Sequence, residues 1–199
     1  MTNALIIIDV QNDFCPGGAL AVPGGDEILP AINAMMADFD AVVLTQDWHP
    51  KGHSSFASSQ DGKAPFDTTA MAYGPQVLWP DHCVQGTEGA AFHADLATHA
   101  DLIIRKGYRP HIDSYSAFFE NDQTTPTGLQ GYLNERGIKE LTIVGLATDF
   151  CVAFSALDAV RLGFKVRVEL AACRAIDMDG SLNTALESMK NAGVTLGQM

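Results

Sequence analysis

The chain has 199 residues, with 12 Lys plus Arg against 24 Asp plus Glu, a formal charge of −12. Apolar residues make up 47% and charged residues 18%, a globular composition long enough for one buried core. That balance excludes a disordered chain, and the acidic charge argues against nucleic-acid or anionic-membrane partners, which need clustered Lys and Arg. The segments that read as strands are short, continuous apolar runs: Ala4–Val10, Ala41–Gln46, Ala100–Lys106, Leu141–Leu146, Lys165–Leu170 and a short last one at Val194–Leu196. Continuous rather than alternating runs suit strands covered on both faces, as in a parallel sheet. Helical spacing is read at 26–39, 88–99, 126–136, 149–163 and 180–192, with Gly163 as a C-cap. The alternation predicts an α/β fold: a doubly wound, mainly parallel six-stranded sheet with helices on both faces, three layers in all. One domain is expected over 1–199. Its stretch from about 47 to 88, rich in Gly, Pro, Ser and Asp, is a long loop or small excursion.

Asp9 falls at the end of the first predicted strand, Asp47 and His49 follow the second, Lys106 ends the third, and Thr148, Asp149 and Cys151 follow the fourth. Ligands of open α/β sheets bind beyond the carboxyl ends of the strands, so these side chains are expected at one crevice. Cys151 opens a predicted helix, where a thiolate and an oxyanion are both favoured. The helix end alone is worth about 0.3–2 kcal/mol. A cation about 4 Å away is worth around 4 kcal/mol at an effective dielectric near 20, and Lys106 can supply it. Asp9 can take the thiol proton as general base. The competing reading is a buried, inert cysteine, the reading given to Cys15, Cys83 and Cys173.

Asp47 and His49 lie two apart on an extended segment and can turn to one side. With His82 they form a carboxylate–imidazole set for one divalent metal ion, Zn first and Mn or Fe next, with His53 as a fourth ligand. Phe14, Trp79 and Tyr115 lie in loops near this site and can wall a flat ring. His93, His99 and His111 have no partner pattern. No G-x-G-x-x-G, Walker A or G-x-S-x-G segment is present. The N-terminus has no basic region or long apolar run, and no cysteine pair has C-x-x-C spacing. A cytoplasmic enzyme with reduced thiols is therefore expected.

Leu5–Leu20 (LIIIDVQNDFCPGGAL), Thr45–His53 (TQDWHPKGH), Trp79–Gly89 (WPDHCVQGTEG), Lys106-Gly107 and Gly145–Val152 (GLATDFCV) resemble the nicotinamidase/pyrazinamidase enzymes of the isochorismatase-like cysteine hydrolases. The resemblance implies a catalytic triad of Asp9, Lys106 and Cys151, metal ligation by Asp47, His49 and His82, and His53 as a ligand in some members. It implies a cis peptide at Leu146-Ala147 and an oxyanion hole from the Ala147 and Cys151 N–H groups. It also implies substrate contacts by Phe14, Leu20, Trp79, Tyr115 and Ala147, with Phe150 at a variable position. The implied reaction converts nicotinamide, and pyrazinamide, to the acid and ammonia through a Cys thioester, in NAD salvage. The implied partner is a small aromatic amide, with no nucleic acid or membrane, and the chain is a monomer or homodimer. Three readings compete: another amide or ureido hydrolase of the superfamily, which needs no metal; a non-haem metal oxygenase, which leaves the triad idle; and a non-enzymatic zinc or thiol module.

Overall fold

The computed structural model describes residues 2–198. Six strands form one sheet: β1 (Asn3–Ile8), β2 (Ala41–Asp47), β5 (Leu102–Lys106), β6 (Glu140–Leu146), β7 (Lys165–Arg174) and β8 (Thr195–Leu196). Their spatial order is β5-β2-β1-β6-β7-β8, and every pairing is parallel. β1 and β2 are almost wholly buried along their length, which is why they read as unbroken apolar runs. The helices are α1 (Leu29–Met35), α2 (Leu129–Glu135), α3 (Ala153–Arg161) and α4 (Ser181–Asn191). From the centre, the chain winds outward through β1, β2 and β5, then through β6, β7 and β8 the other way. Right-handed crossovers then place α1 on one face and α3 with α4 on the other. Both α1 and α3 pack on β7, and α3 packs on α4. The reversal between β1 and β6 is the topological switch point, where such sheets open a crevice.

Several boundaries differ from the sequence reading. β1 stops at Ile8 because Asp9 turns with φ +49°. The helix read at 26–39 shrinks to α1 and a 3-10 turn at Met36–Asp38, with Pro30 in its first turn. That read at 149–163 begins as a π-helical turn (Thr148–Val152) before α3, whose C-cap is Leu162, with Gly163 next at φ +90°. The stretch 88–99 is not helical. Its backbone is used elsewhere: Gly89 and Ala91 carbonyls accept the Asp13 and Asn12 N–H groups, and His93 N–H donates to Val10. Local helical spacing yields there to a pairing with the loop after β1. The 47–88 stretch carries a two-stranded antiparallel hairpin, β3 (Thr68–Met71) and β4 (Gly74–Val77).

Candidate active site

Asp9, Asp47 and Lys106 lie at the carboxyl ends of β1, β2 and β5, and Cys151 lies in the turn after β6. Asp47 and Lys106 are register partners on adjacent parallel strands. Lys106 is fully buried, and its ammonium reaches four groups: Asp9 Oδ2 at 2.8 Å, the Ser114 carbonyl at 2.8 Å, Asp47 Oδ1 at 3.1 Å and Cys151 Sγ at 3.5 Å. Burial opposes that charge, but Asp47 and Asp9 outweigh it and hold Lys106 well above the ordinary lysine range. Burial raises the Asp9 carboxyl, with Lys106 opposing. Burial, reinforced by Asp9 and Asp47 against Lys106, pushes the Cys151 thiol well above its usual value. Asp9 Oδ1 accepts from the Thr45 hydroxyl at 2.6 Å, and Oδ2 faces the Lys106 ammonium at 2.8 Å.

A second cluster adjoins the first. Asp47 Oδ2 lies 3.0 Å from His49 Nε2 and 3.4 Å from His82 Nε2. The other ring nitrogens face carbonyls: His49 Nδ1 lies 2.9 Å from Gly107 and His82 Nδ1 lies 2.8 Å from Pro80. An N–H on each Nδ1 leaves both Nε2 lone pairs aimed at the Asp47 carboxylate, the arrangement that orients imidazoles on a metal. Burial would raise Asp47, but His49 and Lys106 hold it well below the carboxylate range. All three donors are buried, converge on one point and fit a divalent ion. His53 stands apart from them. Its ring centroid is 4.5 Å from that of His49, but Nε2 faces the Arg109 and Ile112 carbonyls at 2.8 and 3.3 Å, and Nδ1 faces the Ser55 hydroxyl at 2.8 Å. It groups with His49 and Asp113 rather than with Asp47 and His82.

The neighbouring sequence explains this placement. Gln11 pairs with the Asp47 main chain, donating to its carbonyl at 2.8 Å and accepting from its N–H at 2.7 Å. Asp13 accepts the Cys83 N–H at 2.7 Å, beside His82. The two ligand-bearing loops are joined by His49 N–H to the Cys83 carbonyl and Gln85 N–H to the His49 carbonyl. Gly107, at φ +65°, leaves room for the site: a Cβ there would lie 2.5 Å from His49 Cε1 and 2.9 Å from Asp47 Oδ1. Gly107→Ala is therefore expected to lower metal affinity by about 10–100-fold, the scale of a disturbed outer-sphere partner. Competitive chelator titration checks this, and unchanged affinity would count against the site.

A cavity opens beside both clusters. It is lined by Phe14, Leu20, Trp79, Tyr115, Ala147, Phe150 and Cys151, and by Asp47 and His82. The sequence-derived wall residues thus all meet there. Trp79 stands edge-on to Phe150, with centroids 4.9 Å apart, and Tyr115 stands edge-on to both. Asp113 and Ile176 also line the cavity, and sequence reasoning missed both. Asp113 lies in an irregular loop without a metal-ligand spacing, and its only sequence signal is proximity to Tyr115. Leu146-Ala147 is a cis peptide. All four cysteines are free thiols. Among the described residues, no helix is long and apolar enough to cross a membrane.

The isochorismatase domain family matches residues 3–199. A nicotinamidase of Acinetobacter baylyi is 59% identical over 96% of this chain and 90% of its own length. A solved nicotinamidase/pyrazinamidase of Acinetobacter baumanii superposes with a TM-score of 0.98 at 57% identity, covering 99% of this chain and 96% of the other. The PnC1 protein of L. infantum, solved with nicotinate, gives 0.86 at 41% identity over 98% and 91%. A pyrazinamidase of Pyrococcus horikoshii, solved with zinc, gives 0.80 at 37% identity over 100% of each chain. On fold, site and likeness together, the chain belongs to the isochorismatase family, in its nicotinamidase/pyrazinamidase branch.

Proposed function

We propose that this chain hydrolyses nicotinamide to nicotinate and ammonia, and pyrazinamide likewise, by thiol catalysis at Cys151 in NAD salvage. The observation that supports it most is the meeting of Cys151, Lys106 and Asp9 with the Asp47–His49–His82 cluster at one aromatic-lined cavity. The relatives named nicotinamidase and the nicotinate complex favour this substrate class. The free thiols suit a reducing cytoplasm.

Phe14, Leu20, Trp79, Tyr115 and Ala147 hold the flat ring, and the carboxamide lies over Cys151. Asp47, His49 and His82 would hold a divalent ion, zinc by analogy with the pyrazinamidase solved with it, and it would supply Lewis-acid anchoring of the ring. Asp9, buried beside Cys151 and paired with Lys106, takes the Cys151 proton as sulfur bonds to the carboxamide carbon. The oxyanion is received by the Ala147 and Cys151 N–H groups, each worth about 2.7–4 kcal/mol in comparable sites. Asp9 returns the proton to the leaving nitrogen as the C–N bond breaks and ammonia departs. It then takes a proton from water, which adds to the thioester carbon. The C–S bond breaks, the thiol is restored and nicotinate leaves. Lys106 stays an ammonium and balances Asp9 throughout.

Ammonia release from nicotinamide tests the reading, with and without chelator. Release should vanish on metal removal and return on readdition. His82→Ala should weaken metal binding by more than the ~10–100-fold typical of an outer-sphere partner, and His53→Ala by no more than that. His53 keeps both ring nitrogens occupied, so it ligates only if its ring turns. No ammonia from the metal-replete protein would overturn the substrate assignment, and full metal content in His82→Ala would overturn the ligand set.

A further inference from the structure

We propose that Gln76 is a positioning residue for the aromatic substrate: its side-chain amide ties the β3–β4 hairpin to the Trp79–Tyr115 wall and so sets the width of the slot. The proposal rests on the amidase reading of that cavity. A hairpin of two four-residue strands is marginal by itself. Within its strands Gln76 alone is buried, at 1% exposure. Burying a primary amide is unfavourable unless its groups find partners. Here they do. Nε2 faces the Val77 carbonyl at 2.7 Å, Asp113 Oδ2 at 2.8 Å and the Tyr115 hydroxyl at 2.9 Å. Oε1 accepts from the Tyr73 hydroxyl and the Asn121 amide, both at 3.1 Å. A carbonyl and a carboxylate on one side require the nitrogen there, which fixes the amide's orientation.

The Tyr115 hydroxyl also accepts the Trp79 indole N–H at 3.1 Å. Gln76 and Trp79 thus meet on one oxygen, and that oxygen belongs to a cavity wall. Asn121 extends the tie, because its Oδ1 accepts the Tyr115 N–H at 3.0 Å. None of these bonds ends on Asp9, Lys106 or Cys151; the nearest link runs from Asp113 through Ser114, whose carbonyl is one of four groups around Lys106. Loosening the wall should therefore weaken binding in ground and transition states alike. That raises KM and leaves kcat nearly unchanged.

The test is Gln76→Met, which keeps length and removes the polar atoms, beside Tyr115→Phe, which cuts the same tie from the cavity side. In the metal-loaded protein, KM for nicotinamide should rise about tenfold in Gln76→Met, with kcat within about threefold. Combining both substitutions should raise KM little beyond the larger single effect, because they remove one shared interaction. In a Trp48→Phe background Trp79 is the sole indole, and its emission should shift in both variants. An unchanged KM would overturn the proposal. So would effects that multiply in the double variant, or a parallel loss of kcat and metal content, which marks simple misfolding. The emission readout needs no turnover. A wild type inactive on nicotinamide would remove the amidase reading, whereas an unmoved Trp79 emission would remove the tie.

Discussion

Cys151→Ala is expected to reduce nicotinamide hydrolysis by about 10⁴-fold or more, the loss typical of removing a covalent nucleophile. The sulfur lies 3.5 Å from Lys106 Nζ and borders the aromatic cavity. The substitution deletes one atom from a site that is 8% exposed, so little packing is lost. The metal donors are bonded to one another and to the Gly107 and Pro80 carbonyls, with no bond to Cys151. Metal content and nicotinate affinity should therefore match the wild type. Ammonia release, metal analysis and calorimetry check the three parts. Residual activity above about a hundredth of wild type would remove the nucleophile assignment, because oxyanion stabilisation and binding alone leave far less.

Lys106→Met should damage both stability and rate. The ammonium lies between Asp9 and Asp47, at 2.8 and 3.1 Å, with no exposure. Such a cluster is weak evidence for stability, because burying its charges is itself costly. Removing only the cation is different. It leaves two buried carboxylates facing each other, a loss of about 3–5 kcal/mol in comparable cases. For a chain of this length that lowers Tm by about 6–20 °C. Asp9 then takes up a proton to relieve the repulsion and can no longer accept one from Cys151. Turnover should fall by at least about 10²-fold, the usual share of a general base. Melting curves and ammonia release measure the two effects. A variant that melts like the wild type would show that Lys106 is not the balancing charge.

What the sequence made legible follows from how much of each signal is local. The strands of the sheet's centre were readable because burial on both faces makes their composition apolar throughout, as in β1 and β2. Residues at strand ends were readable for a related reason: the end of an apolar run marks its position. Asp9, Asp47 and Lys106 could therefore be placed at one crevice without knowing the strand order. The stretch 88–99 misled because helical spacing is local, while its actual partners, Val10 to Asp13, are distant in sequence. Gln76 and Asp113 were missed for the same reason. Each sits in an irregular or short element, and its role comes from partners about 40 residues away. His53 reads as a fourth ligand in the sequence, whereas Nε2 faces two carbonyls and Nδ1 the Ser55 hydroxyl, partners that no spacing rule foresees.

The adjacency of β1 and β6 has a consequence for when the protein becomes active. Asp9 and Cys151 stand side by side only because Asn3–Ile8 pairs with Glu140–Gly145 across the middle of the sheet. That contact closes a loop of most of the chain, and such closures come slowly and late. A nascent chain that has emerged only as far as β5 carries Asp9, Asp47, His49, His82 and Lys106, but not Cys151. Chemical competence therefore arrives in one step, when β6 docks. Before that docking Cys151 does not face Asp9 and Lys106, so the sulfur reaches its two partners only in the closed sheet.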